Sequence, residues 1–201
     1  MLAKALRPAL VHVLALTLLT GLVMPLVMTG IAQALFPAAA NGSLIEKDGH
    51  VVGSRLIGQA FTAPGYFHPR PSATTEPDPK DPSKTIPVPY AADNSGASNY
   101  GPTSKALIDR VTGDVAALRA ESPAPIPADA VTASGSGLDP DISPAYAYRQ
   151  VPRIAKARHL DEAALRALVA AHVRRPLLGF IGEPHVNVLE LDLALDEMHK
   201  P

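Results

Sequence analysis

The chain has neither cysteine nor tryptophan. Without cysteine there is no disulfide framework and no thiolate chemistry. Aromatic residues make up only 4 % of the chain, so any core must be built from aliphatic side chains. The formal net charge is −1, which leaves no basic excess to hold a nucleic-acid backbone. Catalytic signatures are missing too. No Gly-x-x-x-x-Gly-Lys-Ser/Thr loop, no Gly-x-Ser-x-Gly elbow and no Ser-x-x-Lys pair occurs. Gly135-Ser136-Gly137-Leu138-Asp139-Pro140 begins like a dinucleotide fingerprint but has proline at the third glycine. The seven histidines are scattered, with no His-x-x-x-His spacing. They read as surface or capping residues, and neither a metal site nor a catalytic residue is expected.

The most telling absence is local: from Pro8 to Ile45 there is no Asp, Glu, Lys or Arg. About 25 apolar residues between positions 10 and 36 make roughly 38 Å of helix, enough to cross a hydrocarbon core of about 30 Å. The expectation is an N-terminal segment, 1–40, with a retained transmembrane anchor at about 10–36, kinked at Pro25. The rival is a cleaved signal peptide, since Ala32-Gln33-Ala34 resembles a cleavage site. The apolar run exceeds the about 7–15 residues of such a region. Lys4 and Arg7 precede the span, and the first charges after it are Glu46 and Lys47. The positive-inside rule then leaves the N-terminus in the cytoplasm and residues 41–201 outside. A domain so placed meets no bulk ATP.

Proline, at 21 residues, is abundant and predicts long, stiff loops. Asp48-Gly49 between Leu44–Lys47 and His50–Val52 reads as a type I′ hairpin. Residues 69–102 read as irregular, and the Glu76–Pro82 stretch cannot be helical because each residue before a proline is pushed to extended geometry. Thr74–Pro89 is expected to be a solvated surface excursion. A helix should start at Thr103 or Ser104, bury Leu107, Ile108, Val111, Val115 and Leu118, and stop at Pro123, Pro125 and Pro127. Ser143 caps a second helix with Pro144 in its first position, and Pro152 should break or kink it. Asp161 caps a third, with Leu160 stapled on Leu165 and a stripe of Leu165, Leu168, Val169 and His172. Val186–Leu195 alternates as a half-buried strand would. The fold class is mixed α/β (α+β) behind one transmembrane helix.

The run Val131–Pro144, with Ser134-Gly135-Ser136-Gly137 at its centre, fixes a backbone path rather than a core. Gly135 and Gly137 can take left-handed φ, so successive N–H groups can converge into an anion nest. The alternative is a tight structural loop whose amides are satisfied internally.

Several strings, in order along nearly the whole chain, carry a resemblance. They are Gly53–Gln59, Tyr66-Phe67-His68-Pro69-Arg70-Pro71-Ser72-Ala73, Ser95–Pro102, Val131–Pro144, Gln150 with Arg153–Arg158, and Gly182-Glu183-Pro184-His185-Val186-Asn187-Val188-Leu189. Behind one hydrophobic span, this set resembles the KdpC family, the accessory subunits of the bacterial Kdp potassium-transporting P-type ATPase. The resemblance leads one to expect His at Asp141, Arg at His185 and Gly at Ala97 and His159, and makes Thr74–Pro89 look like an insertion. It implies a non-catalytic, single-span accessory protein of the bacterial inner membrane with an extracytoplasmic (periplasmic) domain. Its partners would be a channel-like potassium-binding subunit, an ATP-hydrolysing subunit and a small stabilising subunit. ATP and K+ would be handled by that complex, and the chain would have no cofactor of its own. Neither an Asp-Lys-Thr-Gly-Thr phosphorylation motif nor a Thr-Val-Gly-Tyr-Gly filter is present. The family's description as a catalytic chaperone raising ATP affinity implies nucleotide candidates at Ser134, Gly135, Ser136, Gly137 and Gln150, although the topology opposes direct contact. Two other classes stay open. One is a membrane-tethered periplasmic serine hydrolase using Ser98 or Ser136 with a remote histidine; the other is a stand-alone ligand-binding domain.

Overall fold

A computed structural model describes residues 2–198. The chain divides into two compact units, Met1–Val52 and Gly53–Pro201.

The first unit is dominated by one apolar helix with three parts: α1 (Leu2–Leu18), a π-helical turn (Leu19–Val23) and α2 (Met24–Leu35). Its stretch Lys4–Leu35, 32 residues, is long and apolar enough to cross a membrane. At ~1.5 Å per residue it exceeds a ~30 Å core, which tilt or protrusion accommodates. The disturbance expected at Pro25 takes the form of the π turn just before it. The ring would collide with the carbonyl four residues back, and a wider turn makes room. Polar side chains within the helix are satisfied on the helix itself: Thr20 Oγ1 donates to the Leu16 carbonyl (2.7 Å), and His12 Nδ1 lies 2.8 Å from the Pro8 carbonyl. After the short α3 (Pro37–Ala40) comes the hairpin of β1 (Leu44–Lys47) and β2 (His50–Ser54). Asp48 (φ 52°) and Gly49 (φ 77°) are both left-handed, as a type I′ turn requires.

The second unit mixes helices with small two-stranded sheets. Residues 74–89, expected to be an irregular excursion, instead form an antiparallel hairpin, β3 (Thr75–Asp78) with β4 (Asp81–Pro87). Its prolines leave enough ladder bonds on a two-stranded ribbon, and the buried Thr74 closes its base. Thr74 Oγ1 donates to the Val88 carbonyl at 2.6 Å, and the Val88 amide donates to the Thr74 carbonyl at 3.1 Å. Helix α4 (Lys105–Glu121) follows Ser104, but no side chain of it is fully buried. Val111, Val115 and Leu118 pack at the margin of the core, whereas Ile108 faces solvent.

Helix α5 (Pro144–Arg158) is capped by Ser143, whose Oγ accepts from the Tyr146 amide at 3.0 Å. It runs through Pro152 without breaking, because Val151, Ile154 and Ala155 on either side are locked in the core. It ends on His159 in left-handed geometry (φ 56°). Helix α6 (Glu162–His172) is capped by Asp161, and its Leu165 and Val169 are fully buried. Across the unit β5 (Asp141–Ile142) pairs with β6 (Val186–Asn187), and α7 (Val188–Glu197) follows.

That last helix corrects the strand expected over Val186–Leu195. Its sequence satisfies both periods: polar residues alternate, yet the buried Val188, Leu191, Asp192 and Leu195 fall at helical spacing. Asn187 decides between them. Its side chain accepts from the Glu190 amide at 3.1 Å, an N-cap that starts a helix after two strand residues. Around Phe67, Ile142, Ile154, Leu165, Leu191 and Leu195 the helices close one core.

Candidate functional site

The strings singled out in the sequence come together around one loop. The buried Ser134 stands at its centre. Its amide donates to the Pro71 carbonyl (3.0 Å), and its Oγ accepts from the amides of Gly137 (3.0 Å), Ser136 (3.3 Å) and Asp139 (3.3 Å). Ser136 Oγ accepts from the Leu138 amide at 3.1 Å. The convergent amides of the expected nest are thus engaged by the loop's own hydroxyls. Gly137 is left-handed (φ 72°), and a Cβ there would lie 2.4 Å from Thr74 Cγ2 and 2.6 Å from the Gly96 carbonyl oxygen. Gly135 is not left-handed, and a Cβ on it would meet open space.

The same loop receives four other segments. The Gly58 amide donates to the Leu138 carbonyl (2.9 Å), that of Gly96 to the Ser136 carbonyl (2.8 Å) and that of Val188 to the Pro140 carbonyl (3.0 Å). Ser72 Oγ donates to the Gly137 carbonyl at 2.8 Å, and Arg70 Nη1 pairs with Asp139 Oδ2 at 2.7 Å. Tyr90 lies against this junction, its OH donating to the Arg70 carbonyl at 2.9 Å; burial and the Asp139 carboxylate push its pKa up.

Gln150 stands apart from the glycine loop. Its side-chain amide holds the backbone of His68 as a neighbouring strand would, accepting from the N–H (2.7 Å) and donating to the C=O (3.0 Å). Arg153 Nη2 donates to the same Gln150 oxygen at 2.7 Å and to the Tyr66 carbonyl at 3.1 Å. These residues border a cleft of about 580 Å³ with Tyr146, Arg149 and Lys156 on its wall. Arg149 caps the end of α4, donating to the Leu118 (2.6 Å), Ser122 (3.0 Å) and Ala124 carbonyls, where cationic donors suit the exposed carbonyl end of a helix. Burial, reinforced by Arg153, lowers the pKa of His68, so its ring is neutral near pH 7; Nε2, 3.1 Å from the Ala63 carbonyl, must then carry the proton. Burial raises the Tyr146 phenol to about 12.

The remaining string, 66–73, is a strap through the unit. Arg158 stacks 4.4 Å over the Tyr66 ring and pairs with Asp196 at 2.8 Å. The Phe67 amide donates to Asp192 Oδ1 at 2.9 Å. Asp192 is almost wholly buried, its Oδ2 has no hydrogen-bond partner, and desolvation pushes its pKa up to about 8. It therefore holds a proton at neutral pH. Neither Ser98 nor Ser136 hydrogen-bonds a histidine among the described residues, and no cluster of three or more metal-ligating side chains occurs among them. His199 lies outside the described residues.

Sequence reasoning missed Arg70, Tyr90, Arg149, Asp192 and Glu190. Only Glu190 had a local signal, as the third residue after an N-capping Asn. It accepts from Arg55 (2.5 Å) and Arg174, tying the 53–59 string to α7.

The family model for the K+-transporting ATPase c chain, KdpC, matches residues 6–197. The chain belongs to the KdpC family. Relatives named potassium-transporting ATPase KdpC subunit agree over almost their whole length. That of Methylobacterium nodulans is 69 % identical over 96 % of both chains. One from Rhodopseudomonas palustris is 63 % identical over 96 % of this chain and 98 % of its own. One from Methylorubrum extorquens is 62 % identical over 97 % and 98 %. As a KdpC chain with one apolar N-terminal helix, it is a membrane-anchored, non-catalytic subunit of the potassium-transporting ATPase, and ATP hydrolysis takes place in another subunit. Two positions that depart from the KdpC pattern expected above meet in space: Asp141 Oδ2 lies 3.9 Å from His185 Nε2. A third, His159, occupies the left-handed helix end where glycine is the low-strain residue.

Proposed function

We propose that this chain is an accessory subunit whose span packs beside partner helices in the inner membrane and whose folded unit lies outside the cytoplasm, over the channel-like potassium-binding subunit. The observation that carries the placement is the charge distribution: Lys4 and Arg7 flank one end of the span, and no charge follows until Glu46. Its effect on ATP affinity is then indirect. The subunit binds one conformation of its partners more tightly than another, which shifts their populations toward the ATP-competent form. Two features favour an indirect effect over nucleotide binding here. The amides around Ser134 already have acceptors, and Gln150 holds the backbone of His68, away from that loop.

The test compares the complex purified with and without this chain. The reading expects weaker potassium-stimulated ATPase activity and a higher ATP requirement when the chain is omitted. Identical ATP dependence in both preparations would sink the chaperone role. A single cysteine introduced at the exposed Lys105, in a chain with none of its own, should react with an impermeant maleimide on intact spheroplasts; protection until lysis would reverse the proposed orientation.

A further inference from the structure

Between the Arg174–His185 bridge and Gly182 the chain forms a small projecting hairpin that the hub does not use. Leu177 and Ile181 exchange both backbone hydrogen bonds (3.2 and 3.0 Å), so the tip is fixed by its own backbone. Leu178 (φ 55°) and Gly179 (φ 82°) are left-handed. For Leu178 that geometry costs roughly 1–2 kcal/mol relative to the ordinary region, and Asn or Gly would adopt it more cheaply. The tip also exposes Leu177 (68 %), Leu178 (75 %), Phe180 (77 %) and Ile181 (52 %). At roughly 150–250 Å² per large side chain this is on the order of 500 Å² of apolar surface, within the ~300–600 Å² of the largest, often functional, patches on soluble monomers. Elsewhere among the unit's described residues, exposed large apolar side chains occur singly or, at Leu56–Ile57, as a pair.

Area and charge narrow the occupant. A stable contact needs ~800 Å² per partner, so two tips meeting head to head would fall short, and a polar surround must contribute. At the root of the tip a cleft of about 530 Å³ is lined by Asp129, Asp139, Asp141 and Glu183, with Arg70 and His185. Of the neighbouring cations, Arg174 is held by Glu190, leaving Arg175. This acidic excess would be repelled by anionic headgroups, and the tip has neither Trp nor Tyr of the kind that marks a bilayer interface. It suits a protein surface with positive charge around an apolar pocket.

We propose that the Leu177–Ile181 tip is a docking wedge that enters an apolar, basic-rimmed pocket on a partner subunit of the ATPase. The proposal rests on the accessory-subunit reading. Its test uses the intact complex in mild detergent. Phe180→Cys carrying benzophenone-maleimide should photo-crosslink to a partner subunit. Adducts with lipid alone, with a second copy of this chain, or with nothing would overturn it. The double variant Leu178→Asn/Phe180→Ser relieves the backbone and removes the wedge. Its retention in the complex should fall about 10-fold or more, the size of effect expected when a central apolar anchor is lost, with an unchanged urea midpoint. Full retention would overturn the docking role. Failure of the wild-type chain to co-purify would instead sink the accessory-subunit reading, and the wedge with it.

Discussion

The 134–140 loop turns its hydrogen-bonding groups inward, and the 177–181 tip turns its side chains outward. Both contain left-handed residues. In the loop that geometry falls on Gly137, where a side chain would collide with Thr74 and with the backbone at Gly96. In the tip it falls partly on Leu178, where nothing crowds the side chain and glycine would relieve strain. The contrast teaches that turn chemistry alone does not mark a binding site. What separates the two is where the polar groups are satisfied: three amides converge on Ser134 Oγ, while the tip's apolar side chains meet solvent.

The largest expected effect lies in the core beneath the hub. Asp192 is protonated in the fold up to about pH 8, whereas in the unfolded chain it ionises near 4. Between those values the unfolded state releases the proton and the folded state keeps it. Stability should therefore be greatest at the acid end of this window and decline as pH rises, by up to ~1.4 kcal/mol per pH unit from this group, levelling above pH 8. Urea titrations of wild type and Asp192→Asn across pH 4–9 should differ in slope; parallel curves would show that Asp192 ionises normally.

Gly137→Ala should destabilise the chain by about 2–4 kcal/mol, combining backbone strain with a clash against fixed atoms. Gly135→Ala should stay within about 0.5 kcal/mol of wild type. Equal effects at the two glycines would remove the structural distinction between them. A smaller gain is expected at the end of α5: His159→Gly should raise the urea midpoint by the equivalent of about 0.5–1 kcal/mol, since relief of left-handed strain exceeds the added chain entropy. No gain, or a loss, would mean that the His159 side chain makes a stabilising contact.

Features set within a few residues were legible in the sequence. The Asp48-Gly49 turn, the Ser143 cap with Pro144 and the Asp161 cap each follow from local backbone chemistry, and the apolar span from length. What failed was non-local. Val186–Leu195 carries two periodicities at once, and the choice of helix depends on Asn187 and on burial against α6. Pro152 was read by propensity, but packing on both sides holds the helix through it. At the candidate site, the glycine run was legible as a turn and its family pattern as a signature. The partners that complete it were not, since Gln150 and His68 meet across 82 residues of sequence.

The division of labour between loop and tip is tested most directly by measuring urea midpoint and retention in the complex on the same preparations of Ser134→Ala and Leu178→Asn/Phe180→Ser. Ser134→Ala, which leaves buried amides without their acceptor, should lose about 2–3 kcal/mol of stability while its folded fraction stays bound. The tip variant should keep its midpoint and leave the complex. A stable Ser134→Ala chain that dissociates, or a tip variant that stays bound, would contradict the account.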